Sequence, residues 1–105
     1  EGILEDHTDG CRQILDADKL GLPFLCRRWM QGDWMVPLGM RGRKKVSDIF
    51  NDLKYDSFAK SSAIIVEPCR QSSDAHRIAA LMGVRMDGRF KIDENTRTVI
   101  RISKL

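Results

Sequence analysis

The strongest periodic signal in the chain lies in residues 46–53. Val46, Ile49, Phe50 and Leu53 recur at i, i+3, i+4 and i+7, with Ser47, Asp48, Asn51 and Asp52 between them. That stripe predicts an amphipathic helix. Gly42 or Arg43 is the expected cap region, which makes Lys44 and Lys45 first-turn residues. Asp56 or Ser57 caps a second, shorter helix through Lys60.

The remaining apolar pattern is that of strands. Residues 12–20 hold a short strand around Ile14 and Leu15, broken by Gly21-Leu22-Pro23, and residues 24–30 read as a second. Residues 63–67 (AIIVE) form a buried strand ended by Pro68. Residues 77–82 (RIAALM) read as another strand, although their alanines also fit a helical turn. In residues 84–92, Val84, Met86, Phe90 and Ile92 alternate with Arg85, Asp87, Arg89 and Lys91. A tight hairpin at Asp87-Gly88 would mix apolar and charged side chains on each face, so a bend or bulge at Gly88 is expected instead. Asp93 to Thr96 makes a turn, and residues 98–103 (TVIRIS) a final strand with Ile100 and Ile102 inward. Trp34, Met35, Val36, Leu38 and Met40, interrupted by Pro37, Gly39 and Gly42, predict a constrained loop lying against the core. The sum is a small single α+β domain of mainly antiparallel strands packed with two or three short helices.

Composition agrees with that class. The 105 residues suffice for one compact domain, with 42% hydrophobic and 31% charged residues. Apolar runs fall far short of the roughly 20 residues that span a bilayer, so no membrane partner is expected. The first residue is Glu1, which reads as a fragment or a processed product. Residues 1–13 form an acidic, poorly ordered lead-in, and residues 14–105 the domain itself.

Charge changes the picture more than composition does. Residues 1–24 carry six acids against Arg12 and Lys19, whereas residues 25–45 carry six cations against Asp33 alone. The second stretch suggests an anionic partner. Four cations, Arg41, Arg43, Lys44 and Lys45, precede the predicted helix, where the dipole disfavours each by roughly 0.3–1 kcal/mol at low salt. A phosphate bound there would reverse the sign. The plainer reading is that Arg and Lys stems lie over apolar neighbours and solubilise the loop. Arg27, Arg28, Arg85, Arg89 and Lys91 extend the patch, while Trp29, Trp34 and Phe24 read as core residues ahead of stacking platforms.

Candidate chemistry is sparse. Cys11, Cys26 and Cys69 are too few and scattered for a disulfide framework or zinc site, and read as reduced thiols of a cytoplasmic protein. His7 and Cys11 fall short of a metal ligand set, and His76 has no sequence partner. No Gly-rich phosphate loop and no nucleophile–base arrangement is present. No catalytic, metal or cofactor-binding residue is expected in this chain.

The ordered set Arg28-Trp29, Gly32-Asp33, Pro37-Leu38-Gly39-Met40, Gly42-Arg43-Lys44-Lys45-Val46-Ser47-Asp48, Phe50, Asp52 and Lys54, then Gly83-Val84-Arg85, Asp87, Arg89-Phe90-Lys91-Ile92 and Thr96, resembles the C-terminal domain of bacterial tRNA(Ile)-lysidine synthase. Leu15-Asp16-Ala17-Asp18-Lys19-Leu20 resembles the segment just ahead of it. Two stretches depart from the family pattern. Segment 69–82 is longer and more polar, and Phe58-Ala59-Lys60-Ser61 stands where a Glu-Arg-Asp-like stretch is usual.

The resemblance implies a fold of the lysidine synthase C-terminal, PheT-like type. It implies a parent ligase that uses ATP and Mg²⁺, in an N-terminal catalytic domain outside this chain, to join lysine to the wobble cytidine of a minor tRNA(Ile). This domain would hold the tRNA acceptor stem. The residues it implies for tRNA binding are Arg28, Arg43, Lys44 and Lys45, then Arg85, Arg89 and Lys91, to which the charge of the loop adds Arg41; Gly32, Gly39 and Gly42 shape the backbone. The alternative is a protein-interaction module docking on its own catalytic domain or on a second subunit, as in a homodimer.

Overall fold

A computed structural model describes residues 12–69 and 76–103. Most of the predicted lead-in, with His7 and Cys11, lies outside these residues, while Arg12 and Gln13 open the first strand. In chain order the elements are β1 (Arg12–Asp16), α1 (Ala17–Leu20), β2 (Leu25–Arg28), β3 (Trp34–Met35), β4 (Lys44–Lys45), α2 (Val46–Asp52), α3 (Ser57–Ser61), β5 (Ile64–Glu67), β6 (Ala80–Leu81), β7 (Arg85–Met86), a 3₁₀ turn (Gly88–Phe90) and β8 (Val99–Ser103).

A four-stranded antiparallel sheet, ordered β2-β5-β6-β7, forms the middle layer. Alternation along β5 sends successive side chains to opposite faces. Val66, opposite Ala80, joins Leu15, Leu20, Met86, Phe90 and Ile102 on one face; Ile65, opposite Leu81, joins Met35, Val46, Ile49, Phe50 and Ile78 on the other. The first cluster is closed by the β1–β8 ribbon and α1, the second by α2 and the β3–β4 pair. Gln13, wholly buried, ties the ribbon to the sheet: its Nε2 donates to the Leu81 carbonyl and its Oε1 accepts from the Gly83 amide. Both backbone groups lie at the β6–β7 turn, where water is excluded and a partner is required.

Most predicted elements are present within a residue or two, with four corrections. First, α2 begins at Val46, and Lys44 and Lys45 are extended, not helical. They pair with Trp34 and Met35, and the Val46 amide bonds the Asp33 carbonyl, so strand pairing consumes the backbone that local propensity assigned to the helix. Second, Leu53 is the exposed C-cap, so only three members of the stripe are buried. Third, residues 84–92 are not one bent strand: Gly83, at φ +79°, turns the β6–β7 hairpin, and Gly88 opens the 3₁₀ turn. Fourth, Asp87 points inward and is fully buried.

Candidate nucleic-acid interface

Two buried carboxylates hold the basic loop. Asp33, at its start, accepts both terminal nitrogens of Arg27 (2.9 and 3.0 Å) and the Met30 amide (2.8 Å), and its Oδ1 lies 3.2 Å from His76 Nδ1. Arg27 also donates from Nε to Glu67 on the neighbouring strand, at 2.8 Å. Burial alone pushes the Asp33 carboxyl up. The Arg27 guanidinium, the Met30 amide and His76 outweigh it and hold the carboxyl below the usual range. Bonding to Asp33 conversely raises the Arg27 guanidinium, against the effect of its partial burial.

Asp87 does the same work farther along. It accepts Arg77 in a two-pronged pair at 3.0 and 3.1 Å, the Val36 amide at 3.0 Å and the Arg89 amide at 2.8 Å. Leu38 donates to the Met86 carbonyl and Gly88 to that of Val36, so segment 36–38 runs beside β7 almost as a further strand. A turn follows, closed by the Met40 amide on the Pro37 carbonyl, with Gly39 at φ +88°. The chain then returns through Arg41, Gly42 and Arg43 into β4. The tip is therefore fastened at both ends.

The structure separates the eight predicted cations into groups. Arg41, Arg43 and Lys45 are exposed on the tip and its return strand, and among the described residues none of the three is in an ion pair. Arg43 places its guanidinium carbon over the Trp34 ring, 4.0 Å from the centroid, and Arg77 approaches the same ring at 5.2 Å. Arg85, half-buried on β7, reaches the turn by its contact with the Met40 sulfur at 3.4 Å. Lys44 leaves the cluster: its ammonium pairs with Asp52 at 2.6 Å. Asp52 ends α2, where the negative pole of the helix makes a cation welcome. Arg89 lies over the Phe90 ring at 4.5 Å. Lys91 belongs to the layer of α1, its carbonyl accepting from Lys19. Arg28 sits on β2, three strand spacings from β7, or roughly 14 Å.

Helix-start chemistry accordingly plays no part here; α2 spans seven residues and its first amide is already bonded. What the loop offers is exposed positive charge on an anchored backbone beside an aromatic ring, chemistry that suits an anion such as a phosphate. Sequence reasoning missed Arg77, whose partners Asp87 and Trp34 are distant along the chain. It also missed the role of Asp33, although a lone acid in a stretch of six cations was a visible signal. Among the described residues no three His, Cys, Asp or Glu side chains gather as a metal site, and no helix is long and apolar enough to cross a membrane.

No protein-family model matches the chain. Curated relatives do. The chain is 44% identical over 91 residues to a tRNA(Ile)-lysidine synthase of Parabacteroides distasonis, a match that covers 87% of this chain and 19% of that protein. Its identity to the protein of the same name from Bacteroides thetaiotaomicron is 45% over 85 residues (81% and 18%), and to that from Clostridium acetobutylicum 32% over 90 residues (86% and 18%). The chain thus spans about a fifth of the length of these relatives. Its fold matches a solved structure described as "Crystal structure of TILS C-terminal domain", with a TM-score of 0.71 and 21% identity over 94% of this chain and 75% of that one.

Proposed function

The chain belongs with the C-terminal domain of the tRNA(Ile)-lysidine synthases, and from that premise we propose that it is the tRNA-holding domain of such a ligase. In this reading the parent protein, acting in the cytoplasm, joins lysine to the wobble cytidine of a minor tRNA(Ile). ATP and Mg²⁺ act in its N-terminal catalytic part, outside this chain. The present domain grips the acceptor stem and so helps present the distant anticodon.

The observation that carries the proposal is the anchored tip: Arg41, Arg43 and Lys45 exposed on a segment pinned by two buried carboxylates, with Arg85 beside it. An A-form stem displays phosphates and 2′-hydroxyls while its deep major groove hides the base edges. Cations on an anchored backbone therefore suit it better than base-reading side chains, and they set position more than sequence. Arg43, already laid on Trp34, loses little further freedom when a phosphate docks, which lowers the ordering cost of binding. Arg28 and Lys91, remote from the tip, contribute less.

The test is the salt dependence of tRNA binding by the 105-residue chain. Four phosphate contacts, by Arg41, Arg43, Lys45 and Arg85, give a slope of log K against log salt on the order of −4. A flat response contradicts the proposal.

A further inference from the structure

A groove of about 410 Å³ opens between β2 and α3, apart from the basic tip, and is lined by Arg28, Trp29, Ser57, Lys60 and Ser61. Its volume is at the lower end of the range that takes small organic ligands. The lining carries two cations, two hydroxyls and an indole, with no carboxylate. Ser57, Lys60 and Ser61 stand at i, i+3 and i+4 and so share one face of α3. Arg28 is oriented across the groove by a 2.6 Å bond from Nη1 to the Ser61 carbonyl. Trp29 is likewise held: it meets Phe50 in a T-shaped contact at 5.2 Å, and Phe50 stacks on Tyr55 at 5.3 Å. Asp56, the cap of α3, accepts the Ala59 amide through Oδ1.

Two cations and the Ser57 hydroxyl beside an indole suit a phosphate joined to an aromatic base; the Ser61 hydroxyl already donates to the Phe58 carbonyl. A bare anion would leave the indole unused, and an apolar ligand would strand both charges. We infer that the groove between β2 and α3 receives one nucleoside monophosphate unit, an unpaired nucleotide of bound RNA, with Arg28 and Lys60 on its phosphate and Trp29 against its base. This inference rests on the RNA-binding reading above and adds to it a second, single-stranded contact.

Two measurements on the 105-residue chain test it. In the first, adenosine monophosphate is titrated while the indole N–H resonances of Trp29 and Trp34 are followed. The Trp29 signal shifts, that of Trp34 does not, and Lys60→Gln abolishes the effect. No Trp29 shift, or an equal shift with inorganic phosphate alone, overturns the assignment. In the second, a blunt RNA hairpin is compared with the same hairpin bearing a short single-stranded 3′ overhang. The overhang tightens binding about tenfold, in the range of one stacked base; Lys60→Gln removes that gain and leaves the blunt hairpin's affinity in place. Equal affinity for the two hairpins in the unaltered chain overturns the inference while the tip reading stands. Failure of both hairpins to bind overturns the tip reading, and the nucleotide titration then judges the groove by itself.

Discussion

Replacing Asp33 with alanine lowers the unfolding free energy by about 3 kcal/mol, the expectation when one partner of a buried ion pair is deleted. The side chain is fully buried and accepts from Arg27 twice and from the Met30 amide. Without it Arg27 keeps only Glu67 from its carboxylate partners, which holds the loss near the lower end of the usual range. For a domain of this size the melting temperature falls by roughly 12 °C. Thermal denaturation followed by circular dichroism reads this directly; a loss of a degree or two would mean that Asp33 does not organise the loop. Asp33→Asn keeps an acceptor for Met30 and falls between the two.

The same residue sets a pH dependence. Its carboxyl, pushed up by burial but pulled down further by Arg27, Met30 and His76, lies below the ordinary range in the folded state. The folded protein therefore binds fewer protons than the unfolded chain at this site. Its stabilising contribution is complete above the unfolded value of about 3.9 and is lost as pH falls through the lower folded value. Stability should drop below about pH 4 in the unaltered chain, and Asp33→Ala should flatten that limb.

The second large effect concerns RNA. Replacing Arg41, Arg43 and Lys45 together by glutamine removes three phosphate contacts while sparing the ion pairs that hold the loop. With roughly 0.9 counterions released per contact, each is worth about eightfold in affinity at 0.1 M salt relative to 1 M. The triple variant should bind tRNA on the order of 500-fold more weakly at 0.1 M salt, and its salt slope should be shallower by about 3. Its melting temperature should be nearly unchanged, because all three side chains are exposed. Unchanged affinity would place the RNA elsewhere. Lys44→Gln alone is the control: its ammonium is committed to Asp52, so it costs less than Arg43→Gln.

Much of the fold was legible because its signals are local. Val46, Ile49 and Phe50 repeat at helical spacing, Asp56 caps α3, and Ile100 and Ile102 face the interior of β8, as alternation implies. The start of α2 was not legible, because Lys44 and Lys45 are held extended by Trp34 and Met35, nine to eleven residues away. The inward turn of Asp87 was hidden for the same reason. Its partners, Val36 and Arg77, are 51 and 10 residues distant, and alternation alone places a carboxylate outside. At the site, the positive charge of the tip was plain in the sequence, but its arrangement was not. Only coordinates separate Lys44, neutralised by Asp52, from Arg43, held on Trp34.

In the proposed reading, cationic side chains carried on a pinned loop meet RNA phosphates. Mapping backbone amide shifts of the isotopically labelled chain during titration with a duplex RNA hairpin addresses it most directly. Shifts concentrated at residues 40–45 and around Arg85, saturating with the RNA, are the predicted result. Shifts centred instead on the β1–β8 ribbon, or none at any RNA concentration, would contradict it.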